Sequence, residues 1–238
     1  MQKILAPQGR LRAGINLSNF LLVSEKEPVF RGVSPSLATF VAEKLGATVD
    51  FVPYPNPGSL TKDTESFGIG LVGNEPQRAE KMVFSPAYAQ IEATFLVRRN
   101  VEATIESIDS PGKVIAVSEG AAYDLFLTNN LKHATLKRAK GLDASFELFR
   151  DDSSIDALAG LRPKLIEYDP KDYTILPGQF TSVQQSIGIP RHLLKSDDDI
   201  RLAREFLTGV VTEALESGLI KDLIDEFQVT GRLSPAPF

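Results

Sequence analysis

Hydrophobic positions recur along this chain with two periods that change places several times. Leu11 to Leu17 is a short β-like run. After a loop, Leu37, Phe40, Val41 and Leu45 return at helical spacing within Ser36 to Leu45. Ser34 is placed to cap the first free N–H groups, Pro35 suits the first turn, and Gly46 supplies the stop. Ala47 to Tyr54 then fits a strand imperfectly, and Pro53, Pro55 and Pro57 end it, which completes a β-α-β unit.

Strand-like runs at Gly68 to Gly73, Ile91 to Arg98 and Lys113 to Ser118 then alternate with helix-like runs at Ala121 to Leu131, Asp143 to Phe149 and Ser154 to Leu161. That alternation predicts an α/β architecture with helices on both faces of sheets. The tail differs in kind. Asp197 to Glu216 and Leu219 to Phe227 read as two amphipathic helices with no strand between them, and Ile200, Ala203, Phe206, Leu207, Val210, Val211 and Leu215 fall on one stripe. No repeat and no Gly/Ser linker separates independent units. If the chain forms two lobes, strands join them, and the expected crossings are Phe95 to Asn100 and Gln184 to Arg191.

Composition narrows the function classes. With 238 residues the chain makes one large domain or two small ones. Lys and Arg number 26 against 31 Asp and Glu, a formal charge of -5, so the positive field that gathers nucleic acid or anionic lipid is missing. No nucleic-acid partner is expected. The cysteine count is 0, which excludes disulfides, thiolate nucleophiles and cysteine-ligated metal. No stretch reaches the roughly 20 apolar residues of a bilayer-spanning helix. Met1 to Arg10 carries Pro7 and Gly9 where a signal peptide would have its apolar segment.

Gly68, Gly70 and Gly73 spell a dinucleotide fingerprint, but Lys62 to Ser66 before them is polar and the apolar residues lie among the glycines. The glycines therefore belong to the strand, where they mark a close approach by backbone or ligand. His133 and His192 have no ligand-like spacing, so no metal and no cofactor is expected. The acid runs Asp151-Asp152 and Asp197 to Asp199 read as helix caps. One constellation carries chemistry. Gly70 to Arg78 runs from a strand end into a turn at Pro76, with a guanidinium at Arg78 and the aromatic-bearing loop Phe84 to Tyr88 after it. Arg78 is either a solvated surface arginine or a planar fork that clamps a carboxylate beside backbone N–H groups.

Taken in order, Leu11 to Leu17, the helix entry Gly32 to Ala38, Arg78 to Tyr88, the strand and turn Lys113 to Gly120, and the terminal helix pair resemble the type II periplasmic solute-binding proteins of ABC importers, polar amino-acid branch. The resemblance covers nearly the whole chain. It implies a two-lobed Venus-flytrap fold, with lobe 1 built from residues 1–97 and 187–238 and lobe 2 from 98–186. It further implies a non-enzymatic monomer, periplasmic in its mature form, that closes on a small ligand and presents it to an ABC permease in the inner membrane. By position in the family pattern, Arg78 holds a ligand carboxylate, and the backbone of Leu71 and Gly73 faces the ligand. Ala121 and Ala122 offer N–H groups at a helix start. Asn16, Asn19, Phe20 and Asn56 lie in cleft-lining loops, with Tyr123 and Gln184 as further candidates.

The departures bear on the ligand. Where amino-acid binders of this family present a carboxylate to the α-ammonium, on the turn at Asp156 to Pro163, this chain has Leu161 and then Arg162. Three ligand classes follow: an amino acid met by an altered anchor, a non-α amino acid, and an organic acid shared by Arg78 and Arg162. The last follows most directly from the residues. Glu75 and Asp124 are the candidate partners for a cation. They would also be the candidate acids of the alternative enzyme reading, a dehydratase of cyclic acids on the same fold. A ligand-sensing domain of a receptor is the third class.

Overall fold

The computed structural model describes residues 1–25, 29–168 and 171–237. The chain divides into two compact units, Met1–Gln90 with Gln184–Phe238, and Ile91–Val183. The first unit opens with α1 (Gln2–Leu5), β1 (Arg10–Asn16), α2 (Val33–Lys44), β2 (Thr48–Tyr54), α3 (Pro57–Lys62), β3 (Ile69–Gly73), α4 (Pro76–Ala79) and β4 (Met82–Phe84). Strand β5 (Ala89–Arg98) leads into the second unit, which holds β6 (Val114–Ser118), α5 (Ala122–Asn130), β7 (Thr135–Ala139), α6 (Leu142–Asp151), β8 (Ala157–Leu161), α7 (Arg162–Leu165) and β9 (Tyr173–Ile175). Strand β10 (Thr181–Pro190) returns to the first unit, followed by α8 (Asp197–Glu216), α9 (Leu219–Glu226) and β11 (Ser234–Pro235). The lobe boundaries expected at 97/98 and 186/187 lie further along the same two strands.

In the first unit the strand order is β2-β1-β3-β10. The first three strands are parallel, β10 is antiparallel to β3, and β4 pairs with the far end of β10. Helices α2, α8 and α9 supply buried Leu37, Val41, Leu207, Val211 and Ile220, and the sheet supplies buried Leu11, Ile15 and Ile69. Helix α8 begins with a full capping box, Ser196 and Asp199 satisfying each other's backbone N–H groups. In the second unit β6 is parallel to β7 and β8, and β5 runs antiparallel between β8 and β9. Among the described residues no helix is long and apolar enough to cross a membrane.

Four sequence expectations change. Ser154 to Leu161 is not a helix: after a turn the chain forms β8, where Ala157, Leu158 and Ala159 are buried between β5 and β6. Two-sided burial in the sheet outweighs the helical preference of Ala and Leu. Helix α2 starts at Val33, two residues before the Pro35 that a Ser34 cap would place first, with Gly32 as N-cap. Ser34 lies inside the helix, where its hydroxyl meets the Tyr88 hydroxyl at 2.9 Å. Asp151 and Asp152 do not cap a helix start: they sit at the C-terminal end of α6, paired with Arg150 and Lys137. Of the glycines read as marking a close approach, Gly68 has the expected backbone neighbour, a Cβ there lying 2.9 Å from the Leu5 carbonyl oxygen, whereas at Gly70 the neighbours are side chains, the Phe67 ring at 2.9 Å and the Met82 methyl at 3.0 Å.

Gly32 is required by two independent constraints. Its φ is +138°, and a Cβ there would lie 2.4 Å from the Leu22 carbonyl oxygen and 2.9 Å from the Ser24 nitrogen, both backbone atoms. That same Leu22 carbonyl accepts from the Ser34 N–H at 3.0 Å, so it is tied to the helix entry. Gly32→Ala is expected to cost about 2–3 kcal/mol, read as a lower urea midpoint at unchanged m-value.

Candidate functional site

Parallel strands send their C-terminal ends, and the loops after them, to one edge of a sheet, and in open α/β sheets that edge is where ligands bind. In the first unit Asn16 is level with Tyr54, and Ile15 with Leu71, so β1, β2 and β3 finish together. Asn16 closes β1, and the loops that follow carry Asn19 and Phe20 after β1, Asn56 after β2, and Glu75 and Arg78 after β3. Gln184 joins them, its carbonyl accepting from the Asn74 N–H at 2.8 Å. Its side-chain amide donates to Gln90 at 3.2 Å.

The turn after β3 is built around Arg78. The Glu75 carbonyl accepts from the N–H groups of Arg78 and Ala79 at 2.9 and 3.0 Å, which makes a single helical turn of α4. The Arg78 side chain folds back, and Nη1 donates to the Gly73 carbonyl at 2.8 Å. Arg78 is 3% exposed, and burial lowers its pKa to about 10, so it stays cationic at neutral pH. A buried cation fixed at a strand end suits an anionic ligand group.

Glu75 is half-buried beside it, and its carboxylate makes no hydrogen bond or ion pair among the described residues. Desolvation raises its pKa to about 7, against the opposing pull of Arg78. Folding therefore favours the protonated carboxyl, and stability is lost as pH rises from about 4.5 through about 7. Glu75→Gln removes that loss. Discounted for partial exposure, the gain is about 1–2 kcal/mol, so the variant is expected to melt above the parent at pH 8 and level with it at pH 4.

The remaining candidates serve local structure in varying degree. The Asn16 side-chain carbonyl accepts from the N–H and hydroxyl of Ser18 at 3.1 and 2.8 Å. Asn19 accepts from the Leu21 N–H, and Asn56 caps α3 through the Ser59 N–H at 2.8 Å. Phe20 lies under the Arg232 guanidinium, 5.9 Å from the ring centroid. Leu71 is buried and laddered on both sides, to Ile15 and Ile187. Gly73 pairs with Gln185 and gives its carbonyl to Arg78.

In the second unit β6 and β8 likewise end at one edge, followed by Ala121, Ala122 and Tyr123 after β6 and by Arg162 after β8. Ala121 is the N-cap of α5, and its N–H donates to the Ser118 carbonyl at 3.2 Å. Ala122 and Tyr123 are buried in the unit's main core, and burial raises the Tyr123 phenol above its ordinary pKa. Arg162 is held by Glu92 at 2.6 Å and by the Gly178 carbonyl. Asp124 is 3% exposed and occupied within its own unit: it accepts from the Gly120 N–H at 2.8 Å and from Arg138 Nε at 3.0 and 3.2 Å. It is a brace for the turn before α5, which leaves Glu75 as the candidate partner for a cation.

The sequence offers no signal for Gln77, and it marks Ser85 and Tyr88 only as parts of the aromatic-bearing loop Phe84 to Tyr88. Gln77 carries a buried side-chain oxygen without a hydrogen bond. Ser85 accepts from the Ile187 N–H at 3.0 Å and so ties the Phe84 to Tyr88 loop to β10. Tyr88 is fully buried against Ser34, so the aromatic of that motif belongs to the core. Only the serine-aromatic spacing hinted at the last two. Among the described residues no group of His, Asp and Glu is arranged to hold a metal.

No family profile matches the chain, and no curated protein does. Solved structures do. An ancestral amino acid-binding protein, described as a precursor of cyclohexadienyl dehydratase, is 20% identical at a TM-score of 0.71, covering 95% of this chain and 98% of its own. The ligand-binding core of GluR0 in complex with L-glutamate is 16% identical at 0.70, over 92% of this chain and 97% of its own. A binding component of an ABC transporter from Wolinella succinogenes DSM 1740, complexed with lysine, is 17% identical at 0.70, over 94% and 97%. Identities this low establish the fold, the two-lobed α/β fold of type II periplasmic binding proteins.

Proposed function

We propose that this protein is the solute-binding component of an ABC importer and captures a small carboxylate-bearing solute by closure about the strands that join its lobes. The observation that carries this reading is Arg78, a guanidinium 3% exposed, fixed by the Gly73 carbonyl at the C-terminal end of the parallel strands β1, β2 and β3. The fold supports it, since a component of an ABC transporter is among the proteins that share it over almost their whole length. Each charge-assisted hydrogen bond to a bound carboxylate contributes roughly 1.5–3 kcal/mol, so two or three of them with apolar burial account for the approximately 8 kcal/mol of a micromolar ligand.

In this reading the ligand is carried and not converted, and it is passed to an inner-membrane permease. A thermal-shift screen against amino acids, amines and small carboxylic acids tests the proposal. At a hundredfold excess over Kd, a ligand that binds only the folded protein adds about 2.7 kcal/mol of stability. A carboxylate-bearing compound is expected to give that shift and to be recovered unchanged after incubation. Stabilisation by amines alone, or turnover of the bound acid, overturns it.

A further inference from the structure

We infer that carboxylate capture at Arg78 is coupled to uptake of a proton by Glu75, so that the protonated carboxyl donates to the anion the guanidinium holds and binding weakens as pH rises. This rests on the carboxylate reading proposed above and adds a regulatory property to the same site. Glu75 opens the single turn of α4, and the Arg78 N–H donates back to its carbonyl at 2.9 Å. Each of the two side chains feels the charge of the other. The Glu75 carboxyl is half-buried and makes no hydrogen bond or ion pair among the described residues. A carboxylate docked on Arg78 therefore arrives beside a second carboxyl whose solvation is partly removed.

Two carboxylates that share a site repel, and one of them is relieved by taking a proton. Glu75 is the one that takes it, because burial already disfavours its charge and brings it to about 7 before any ligand is present. The proton turns a repelling neighbour into an O–H donor, and a hydrogen bond from O–H to a carboxylate is a short, strong one. No rival proton site stands close among the described residues. Strands β3 and β4 on either side of the turn, and β10 that pairs with both, carry no titratable side chain. Tyr88 is buried against Ser34, and burial raises its phenol further. Glu80 and Lys81 follow the turn, and Arg191 donates to the Ala79 carbonyl at 2.9 Å, but of the charged groups only Arg78 acts on Glu75. The cation that suits Glu75 is thus a proton.

Titration calorimetry on the whole chain at pH 6 and pH 8, each in two buffers of different ionisation enthalpy, tests the coupling. The probes are the common L-amino acids other than histidine and cysteine, 4-aminobutyrate, lactate and benzoate, whose carboxyls stay ionised over that range. The tightest of them is expected to bind roughly tenfold more weakly at pH 8 than at pH 6, with about one proton taken up per molecule bound at pH 8. Glu75→Gln, whose amide keeps a donor without the charge, is expected to take up no proton and to bind equally at both pH values. If that variant does not fold, the buffer dependence of the parent decides. Affinity that is flat or stronger at pH 8, absence of proton uptake in the parent, or uptake that persists in Glu75→Gln overturns the inference and leaves the carboxylate reading standing. Failure of every probe to bind overturns both.

Discussion

Replacement of Arg78 by alanine is expected to weaken carboxylate binding by at least about a hundredfold. The loss of two charge-assisted hydrogen bonds at the low end of their range is about 3 kcal/mol, and 1.4 kcal/mol is a factor of ten. The ligand-free protein should survive the change. Truncation leaves the Gly73 carbonyl without this donor, but it also removes a guanidinium that burial has already penalised, as its lowered pKa of about 10 records. The apparent melting temperature without ligand is therefore expected to move by a few degrees at most, while the ligand-induced shift disappears. Arg78→Lys separates charge from geometry: an ammonium keeps the attraction and loses the planar fork, so an intermediate Kd is expected. A full ligand-induced shift in Arg78→Ala would remove this residue from the binding role.

The largest effect on stability is expected in the second unit, at Arg138. Its Nε lies 3.0 Å from the Asp124 carboxylate and its Nη2 donates to the Thr128 hydroxyl at 2.8 Å. Asp124 has a side chain 4% exposed, whereas that of Arg138 is 38% exposed, so the two ends of the pair are not equivalent. Arg138→Ala strands a buried carboxylate with the Gly120 N–H as its main support, at a cost of about 3 kcal/mol. For a chain of this size that lowers the melting temperature by roughly 6–12 °C. Adding Asp124→Asn to that variant removes the stranded charge and should recover part of the loss. Additive losses in the double variant would show that the pair contributes nothing as a pair.

The elements legible in the sequence were those with long, regular periodicity. Helix α8 is marked by its apolar stripe and by Ser196 with Asp199 at its start, and β1, β2 and β3 by short apolar runs between turn residues. Segment Ala157–Leu161 was not legible because Ala, Gly and Leu have no β preference. Only β5 and β6 on either side make it a strand. Strand β7 is exposed over most of its length and so lacks a buried run altogether. At the candidate site, spacing picks out the guanidinium of Arg78 and the acid of Glu75. What spacing cannot convey is that Arg162 is matched by Glu92, 70 residues away, or that Asp124 of α5 is matched by Arg138 of β7. Such pairings exist only once the sheet has assembled.

The first unit draws on both ends of the chain, Met1–Gln90 and Gln184–Phe238, and this orders events on the ribosome when the chain is expressed in the cytosol without export. Strand β3 has β10 as its second neighbour, so one side of β3 stays open until residue 188 has been made. At about 5–20 residues per second, that interval is roughly 5–20 s. The contiguous unit Ile91–Val183 can finish folding within it, while the nascent N-terminal portion waits with an unpaired sheet border. Chaperone dependence and loss to inclusion bodies should therefore respond to translation speed between residues 90 and 190 more than to speed anywhere else.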